Sequence, residues 1–357
     1  MVLYGDNMRT ELARTISKWL PRPKGIIYEI TPRCNLHCRF CYNVWKNGAN
    51  YPSGEMDTDA ARNLLARVVK QSAAKIVTIS GGEPFLRSDL PSICAFLRGL
   101  KVKVNIVTNG TLCSMEMMRD CVEAGVALFE FPLLASDREI HDSLVGGDAF
   151  DKVLDAMANA RASGARVVTT FIMTRKNLDF LAETLELNAA LRVDGVMLNR
   201  FNPGGEGRNH IDELLPNLAT VQRALAVAEH AAEKWRLNIA CSIPLQPCLI
   251  DRKMYPHLSF GDCPWGTRDM YFTIDPIGNL RPCNHSETIL GNLHTDDYRQ
   301  LVKSEKMACL ARTTPSRCKG CSDLRRCQGG CKAAAEACYG SACEPEPFLK
   351  SNCSQGA

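Results

Sequence analysis

Two patterns in the sequence predict an α/β fold followed by a cysteine-rich C-terminal domain. Six short β-rich apolar runs alternate with helical stretches over residues 25–235, and near residue 236 this gives way to short strands, turns and clustered cysteines. Alternating strands and helices argue for βαβ units and a parallel sheet. Right-handed crossovers would wind six such units into a partial (β/α)6 barrel, although the pattern alone also allows an open doubly wound sheet. In either layout the loops after the strand C-termini carry the site.

The first run is GIIYEIT (25–31), and a loop with three cysteines follows it directly. The helical stretch TDAARNLLARVVKQSA leads to KIVTIS (75–80), and KVNIVT (103–108) and VALFEF (126–131) come next. A second helical stretch, AFDKVLDAMANARASG, precedes RVVTTFI (166–172), and GVMLNRF (195–201) is the sixth run. Residues 216–238 read as a helix that closes this region, so the expected domains are an arm (1–24), a barrel (25–235) and a C-terminal domain (236–357). The arm carries charges and no continuous apolar run, so no secretory signal is expected. No stretch approaches the roughly 20 apolar residues of a membrane span. A cytoplasmic protein is therefore expected.

A net charge of +4 gives no reason to expect nucleic acid or a membrane as partner. The anomaly is 18 cysteines. In a reducing compartment they point to metal or cluster ligands and not to disulfides. Three sit at Cys34, Cys38 and Cys41, in the spacing C-x3-C-x2-C. A zinc site usually wants four ligands in paired arms. Three thiolates in one short loop suit three irons of a cubane and leave the fourth iron open. A zinc knuckle with a distant fourth ligand is the alternative.

With Phe40 before the last cysteine, SGGEP at 80–84 and TNG at 108–110, this region resembles the radical S-adenosylmethionine (SAM) superfamily. The resemblance implies a [4Fe–4S] cluster whose open iron chelates SAM, reductive cleavage of SAM to a 5′-deoxyadenosyl radical, and hydrogen abstraction from substrate. It implies that Gly81, Gly82, Glu83, Pro84, Thr108 and Asn109 line the cofactor site. The residue types fit: the glycines permit close backbone approach, Pro84 stiffens the turn, and Glu83, Thr108 and Asn109 offer polar groups. Arg200 could meet the SAM carboxylate or ribose, or form a plain salt bridge. After the fourth run, Pro132 and Leu133 stand where many members carry a SAM-holding serine, and Ser136 is the available substitute. His141 and Asp142 read as structural, and NPGGEG (202–207) as a substrate-facing loop.

Farther on come Cys263, Gly278-x4-Cys283, Cys318, Cys321, Cys327, Cys331 and Cys353. This order resembles the SPASM extension and implies two auxiliary [4Fe–4S] clusters. By the family scheme, Cys263, Cys283 and Cys331 serve the first, with Cys248 expected as its fourth ligand and Cys241 as runner-up. Cys318, Cys321, Cys327 and Cys353 serve the second, with Cys343 as an alternative to Cys353. A zinc ribbon over 318–331 is the competing reading. Cys94, Cys113, Cys121 and Cys309 are expected to be plain thiols.

SPASM relatives mostly act on peptides or proteins. The expected function is thus modification or crosslinking of a ribosomally made peptide. Oxidation or decarboxylation of a small molecule or tetrapyrrole is the alternative, and a non-catalytic iron–sulfur or zinc protein is the alternative from another class. The stretch before the first strand is short for a leader-binding domain, so a separate leader-binding partner, or a substrate needing none, is expected. A flavodoxin- or ferredoxin-type donor would supply electrons. Asn284 stands where sulfatase-maturing relatives carry an aspartate, which lowers that reading, and His285 and Asp275 are candidate catalytic residues.

Overall fold

The computed structural model describes residues 25–46, 51–267 and 270–352. The expected N-terminal arm (1–24) and Cys353 lie outside the described residues. The six expected strands form as β1 (Gly25–Glu29), β2 (Ile76–Ser80), β3 (Lys103–Val107), β4 (Val126–Pro132), β5 (Arg166–Met173) and β6 (Gly195–Arg200). Between them run α1 (Thr58–Ser72), α2 (Leu90–Gly99), α3 (Met115–Glu123), α4 (Arg138–Val145), α5 (Phe150–Ala162) and α6 (Leu181–Ala190), and α7 (Leu218–Trp235) follows β6. Local chemistry sets the helix starts. Asp57 accepts the Ala60 N–H at 2.8 Å to open α1, and Asn217 accepts the Thr220 N–H at 2.9 Å to open α7.

The six strands are parallel and lie in chain order, β1 to β6. A doubly wound sheet reverses its strand order at a switch point. The absence of any reversal among these six strands selects the barrel. Side-chain alternation agrees. Ile26, Tyr28, Val77, Ile79, Val104, Ile106, Val196 and Leu198 are buried, whereas the intervening Ile27, Thr78, Asn105, Glu130, Thr170 and Met197 line a central cavity. The barrel thus has a largely apolar lumen with a few polar side chains, inside an apolar outer layer.

The C-terminal region does not stand apart from this sheet. β7 (Ile239–Cys241) and β8 (Leu258–Phe260) extend it in parallel beyond β6. β9 (Phe272–Ile274) then pairs in parallel with β1 at the opposite edge, and β10 (Asn279–Arg281) and β11 (Gly291–Asn292) complete an 11-stranded sheet. Two buried ion pairs fasten the join. Arg281 on β10 binds Glu29 on β1, and Arg200 on β6 binds Glu346 at 2.7 Å, just before the helix α8 (Pro347–Asn352). Among the described residues, no helix is long and apolar enough to cross a membrane.

Candidate active site

The cysteine loop leaves β1 and is gripped from three sides. The segment after β2 continues the ladder, with Gly82 N–H donating to Thr31 O and Glu83 N–H to Arg33 O, both at 2.8 Å. Arg39 N–H donates to Leu144 O of α4 at 3.0 Å, and Gly207 N–H donates to Cys41 O at 3.0 Å. These grips explain the glycines. A Cβ on Gly82 would sit 1.9 Å from Arg33 O, and one on Gly205 would sit 2.5 Å from Asn43 O. The close approach read from SGGEP is therefore first an approach of backbone to the cysteine loop. The 202–207 segment, expected to face substrate, packs its glycines on that loop while Asn202 borders the cavity.

Glu83 is buried and staples two strand ends. It accepts Thr108 Oγ1–H at 2.7 Å, Asn109 N–H at 2.7 Å and Phe85 N–H at 3.0 Å. Burial outweighs these bonds and pushes its carboxyl up to about 7. Glu83 and Pro84 do not border the cavity, whereas Gly81, Gly82, Thr108 and Asn109 do. Asn109 Nδ2 lies 3.9 Å from Cys34 Sγ and donates to Asn35 Oδ1 at 2.9 Å.

The cavity has a volume of about 540 Å³, and its border includes Cys38, Cys41, Tyr42, Tyr271, Asn284 and His285. Its charged lining residues are Glu130 and Arg200. Arg200 is committed to protein: besides Glu346, its Nε–H donates to Pro244 O at 3.0 Å and its guanidinium stacks over Phe348. The structure shows the salt bridge, and Arg200 still borders the cavity where contact with SAM was expected. Glu130 accepts the Thr170 hydroxyl at 2.5 Å, and burial raises its pKa. The sequence reading missed Glu130, Tyr271 and Asn199. A lone carboxylate inside the apolar run of β4 was the available signal.

His285 faces the cavity, stacked on Tyr42 with ring centroids 4.0 Å apart and with Nδ1 3.1 Å from Asn202 Nδ2. Burial, then Arg281 and Arg200, push its pKa down to about 3, so the ring is neutral at pH 7. Three other candidates have structural roles. Asp275 accepts Tyr51 O–H at 2.8 Å and Asn279 N–H at 2.7 Å in the β9–β10 turn. His141 is buried, with Nδ1 accepting Leu134 N–H at 3.3 Å, and Asp142 accepts the N–H groups of Ala149 and Phe150 at 2.9 Å. Pro132 borders the cavity and Ser136 does not.

In the C-terminal region Cys263, Cys283 and Cys331 are buried; burial raises the pKa of each, and Cys331 adds to the rise at Cys263 and Cys283. Cys283 sulfur accepts the His285 N–H and a Trp265 side-chain bond, and Cys263 sulfur accepts N–H groups of Trp265 and Lys332. Cys318, Cys321 and Cys327 line a second, smaller void, and Cys248 lines it with them. Cys248 was expected beside Cys263, Cys283 and Cys331. The turn at Gln246 places Cys248 beside the other set in this structure. The runner-up, Cys241, is a buried residue of β7. Cys94, Cys113 and Cys121 are buried and Cys309 is exposed; Cys343 is exposed as well.

The model of the radical SAM superfamily matches residues 28–187, and that of an iron–sulfur cluster-binding domain, SPASM, matches residues 263–327. The chain belongs to the radical SAM superfamily and carries a SPASM domain. It is a radical SAM enzyme that binds SAM and iron–sulfur clusters. The chain is 26% identical over 355 residues to the PqqA peptide cyclase of Rhodopseudomonas palustris, covering 94% of this chain and 89% of that one. It is 25% identical over 345 residues to the AdoMet-dependent heme synthase of Methanosarcina barkeri, covering 91% and 96%. In fold it resembles Streptococcus suis SuiB bound to S-adenosylmethionine, with a TM-score of 0.73, 18% identity, and 96% of this chain and 81% of that one covered. It also resembles anSMEcpe with bound AdoMet, with a TM-score of 0.67, 17% identity and coverage of 92% and 94%.

Proposed function

We propose that this radical SAM/SPASM enzyme modifies or crosslinks a ribosomally made peptide, and that it uses three [4Fe–4S] clusters to do so. Cys34, Cys38 and Cys41 would hold the cluster that binds SAM. Cys263, Cys283 and Cys331 would hold one auxiliary cluster, and Cys318, Cys321 and Cys327 the other. The residues suit these groups. Each set offers soft thiolate donors, and burial keeps several of these thiols protonated until a metal replaces the proton. The N–H groups aimed at Cys263 and Cys283 are the kind of bond that tunes a cluster's potential. A cluster held there would supply the one-electron reduction that cleaves SAM and so make radical hydrogen abstraction from substrate available.

The chain's own residues position the reactants. Gly81, Gly82, Thr108 and Asn109 border the cavity beside the cysteine loop. Glu130 offers a carboxylate to a hydroxyl or ammonium of cofactor or substrate. The neutral His285 and Asn284 occupy the wall nearest Cys283.

The observation that carries the peptide reading is the cavity volume. Drug-sized ligands occupy cavities of roughly 300–1,000 Å³. The space of about 540 Å³ lies within that range and opens outward, so a side chain can reach into it from outside the barrel. That suits SAM plus one residue of a peptide held outside the barrel. The similarity to a peptide cyclase points the same way. The similarity to a heme synthase favours a second reading, oxidation or decarboxylation of a tetrapyrrole, which would need most of the macrocycle to stay outside. A flavodoxin- or ferredoxin-type protein would supply electrons, and a separate leader-binding protein would deliver the peptide. The test is incubation with SAM, dithionite and short peptides encoded beside the gene. A peptide that loses a pair of hydrogens, with matching 5′-deoxyadenosine, is expected. Turnover of a tetrapyrrole with no peptide modified would overturn the reading.

A further inference from the structure

We infer that Cys248, from the connection between β7 and β8, supplies the fourth thiolate of the cluster held by Cys318, Cys321 and Cys327. This rests on the proposed reading that the C-terminal cysteines hold clusters. A [4Fe–4S] cubane takes one ligand per iron, and the C-x2-C-x5-C run provides three. Cys248 borders the same void as those three.

Its position is built. Leu249 N–H and Ile250 N–H both donate to Gln246 O, at 2.9 and 3.0 Å, which closes a tight turn around Cys248. Gln246 itself is fully buried, and its side-chain amide donates to Glu346, the partner of Arg200. Gly330 makes room for that amide, since a Cβ there would lie 2.2 Å from Gln246 Nε2. Gly330 thus serves two ends. Gly330 N–H donates to Cys327 O at 3.1 Å, and the missing Gly330 side chain admits the turn that presents Cys248. The three other thiols are set by their own turns, with Cys321 N–H donating to Cys318 O at 3.2 Å and Cys327 N–H to Asp323 O at 2.8 Å.

In the family scheme this fourth position belongs to the last cysteine of the motif, Cys353. With Cys248 as ligand, the cluster would staple the sheet edge at β7 and β8 to the C-terminal helices. The set Cys263, Cys283 and Cys331 would be left with three thiolates beside the cavity wall formed by Tyr271, Asn284 and His285.

The test uses the full chain with Cys34, Cys38 and Cys41 changed to alanine, which isolates the C-terminal clusters. Iron and sulfide are counted, and electron paramagnetic resonance is recorded after reduction. This parent should hold about eight irons. Adding Cys248→Ala should lower the iron count and remove one spectral component. Cys248→Ser, which offers an oxygen ligand, should keep iron but shift that component, and Cys353→Ala should change neither. A full iron complement in Cys248→Ala, or an unaltered spectrum in Cys248→Ser, would overturn the inference. A parent without iron would instead sink the underlying reading of the C-terminal region.

Discussion

The two cysteine regions share one ligand chemistry and differ in what surrounds it. Cys34, Cys38 and Cys41 are half-buried, lie within one loop and border the central cavity through Cys38 and Cys41. Cys263, Cys283 and Cys331 are buried, come from three separate segments and receive N–H bonds from neighbouring backbone and Trp265. A loop that brings two of its three thiols to the edge of an open space would leave a metal held there open to a small molecule. A set wrapped by protein is suited to holding and passing electrons. The difference lies in packing, since the donor atoms are the same.

The sharpest way to break this comparison is to remove a thiol from the first region alone. Cys38→Ala should abolish 5′-deoxyadenosine release while leaving the C-terminal iron in place, as read by product analysis and iron counting. A smaller effect should follow from cutting the link between the regions. Glu346→Gln strands the buried Arg200 charge, and losing one member of such a pair costs about 3–5 kcal/mol. Thermal or denaturant unfolding should show that drop.

Glu83, on the barrel side only, should give a pH signature. Its folded pKa of about 7 lies above its ordinary value of 4.5, so the folded state keeps a proton that the unfolded chain has released. Stability should be fullest below pH 4.5 and fall as pH rises to about 7, by up to about 3 kcal/mol. Glu83→Gln should flatten that slope in unfolding curves taken across the range. The smallest effect is expected from Glu130→Gln, which keeps the side chain's shape and removes its charge. Loss of about tenfold in kcat/KM, about 1.4 kcal/mol, with unchanged iron content would assign Glu130 to ligand binding.

The six barrel strands were legible because each is an apolar-rich run long enough to carry an alternating pattern. The pairing of β7, β8 and β9 with the two sheet edges was not. Three-residue strands such as Ile239–Cys241 and Phe272–Ile274 carry no usable period, and their partners lie far away in sequence. The cysteine spacing announced the metal chemistry, but spacing says nothing about which turn brings Cys248 to which set. Gly82 was legible as a place of close approach, though not as one that admits Arg33 O. The ion-pair partner of Arg200, Glu346, lies far along the chain and was not legible.

The central claim is that the Cys34–Cys38–Cys41 loop holds a cluster with a site open to the cavity, where SAM binds and is cleaved. The most direct measurement is electron paramagnetic resonance of the dithionite-reduced protein before and after SAM is added, for the wild type and for Cys38→Ala. SAM should change the wild-type spectrum and have no effect on that of the variant. A wild-type spectrum that SAM leaves unaltered, or one that changes equally in the variant, would contradict the account.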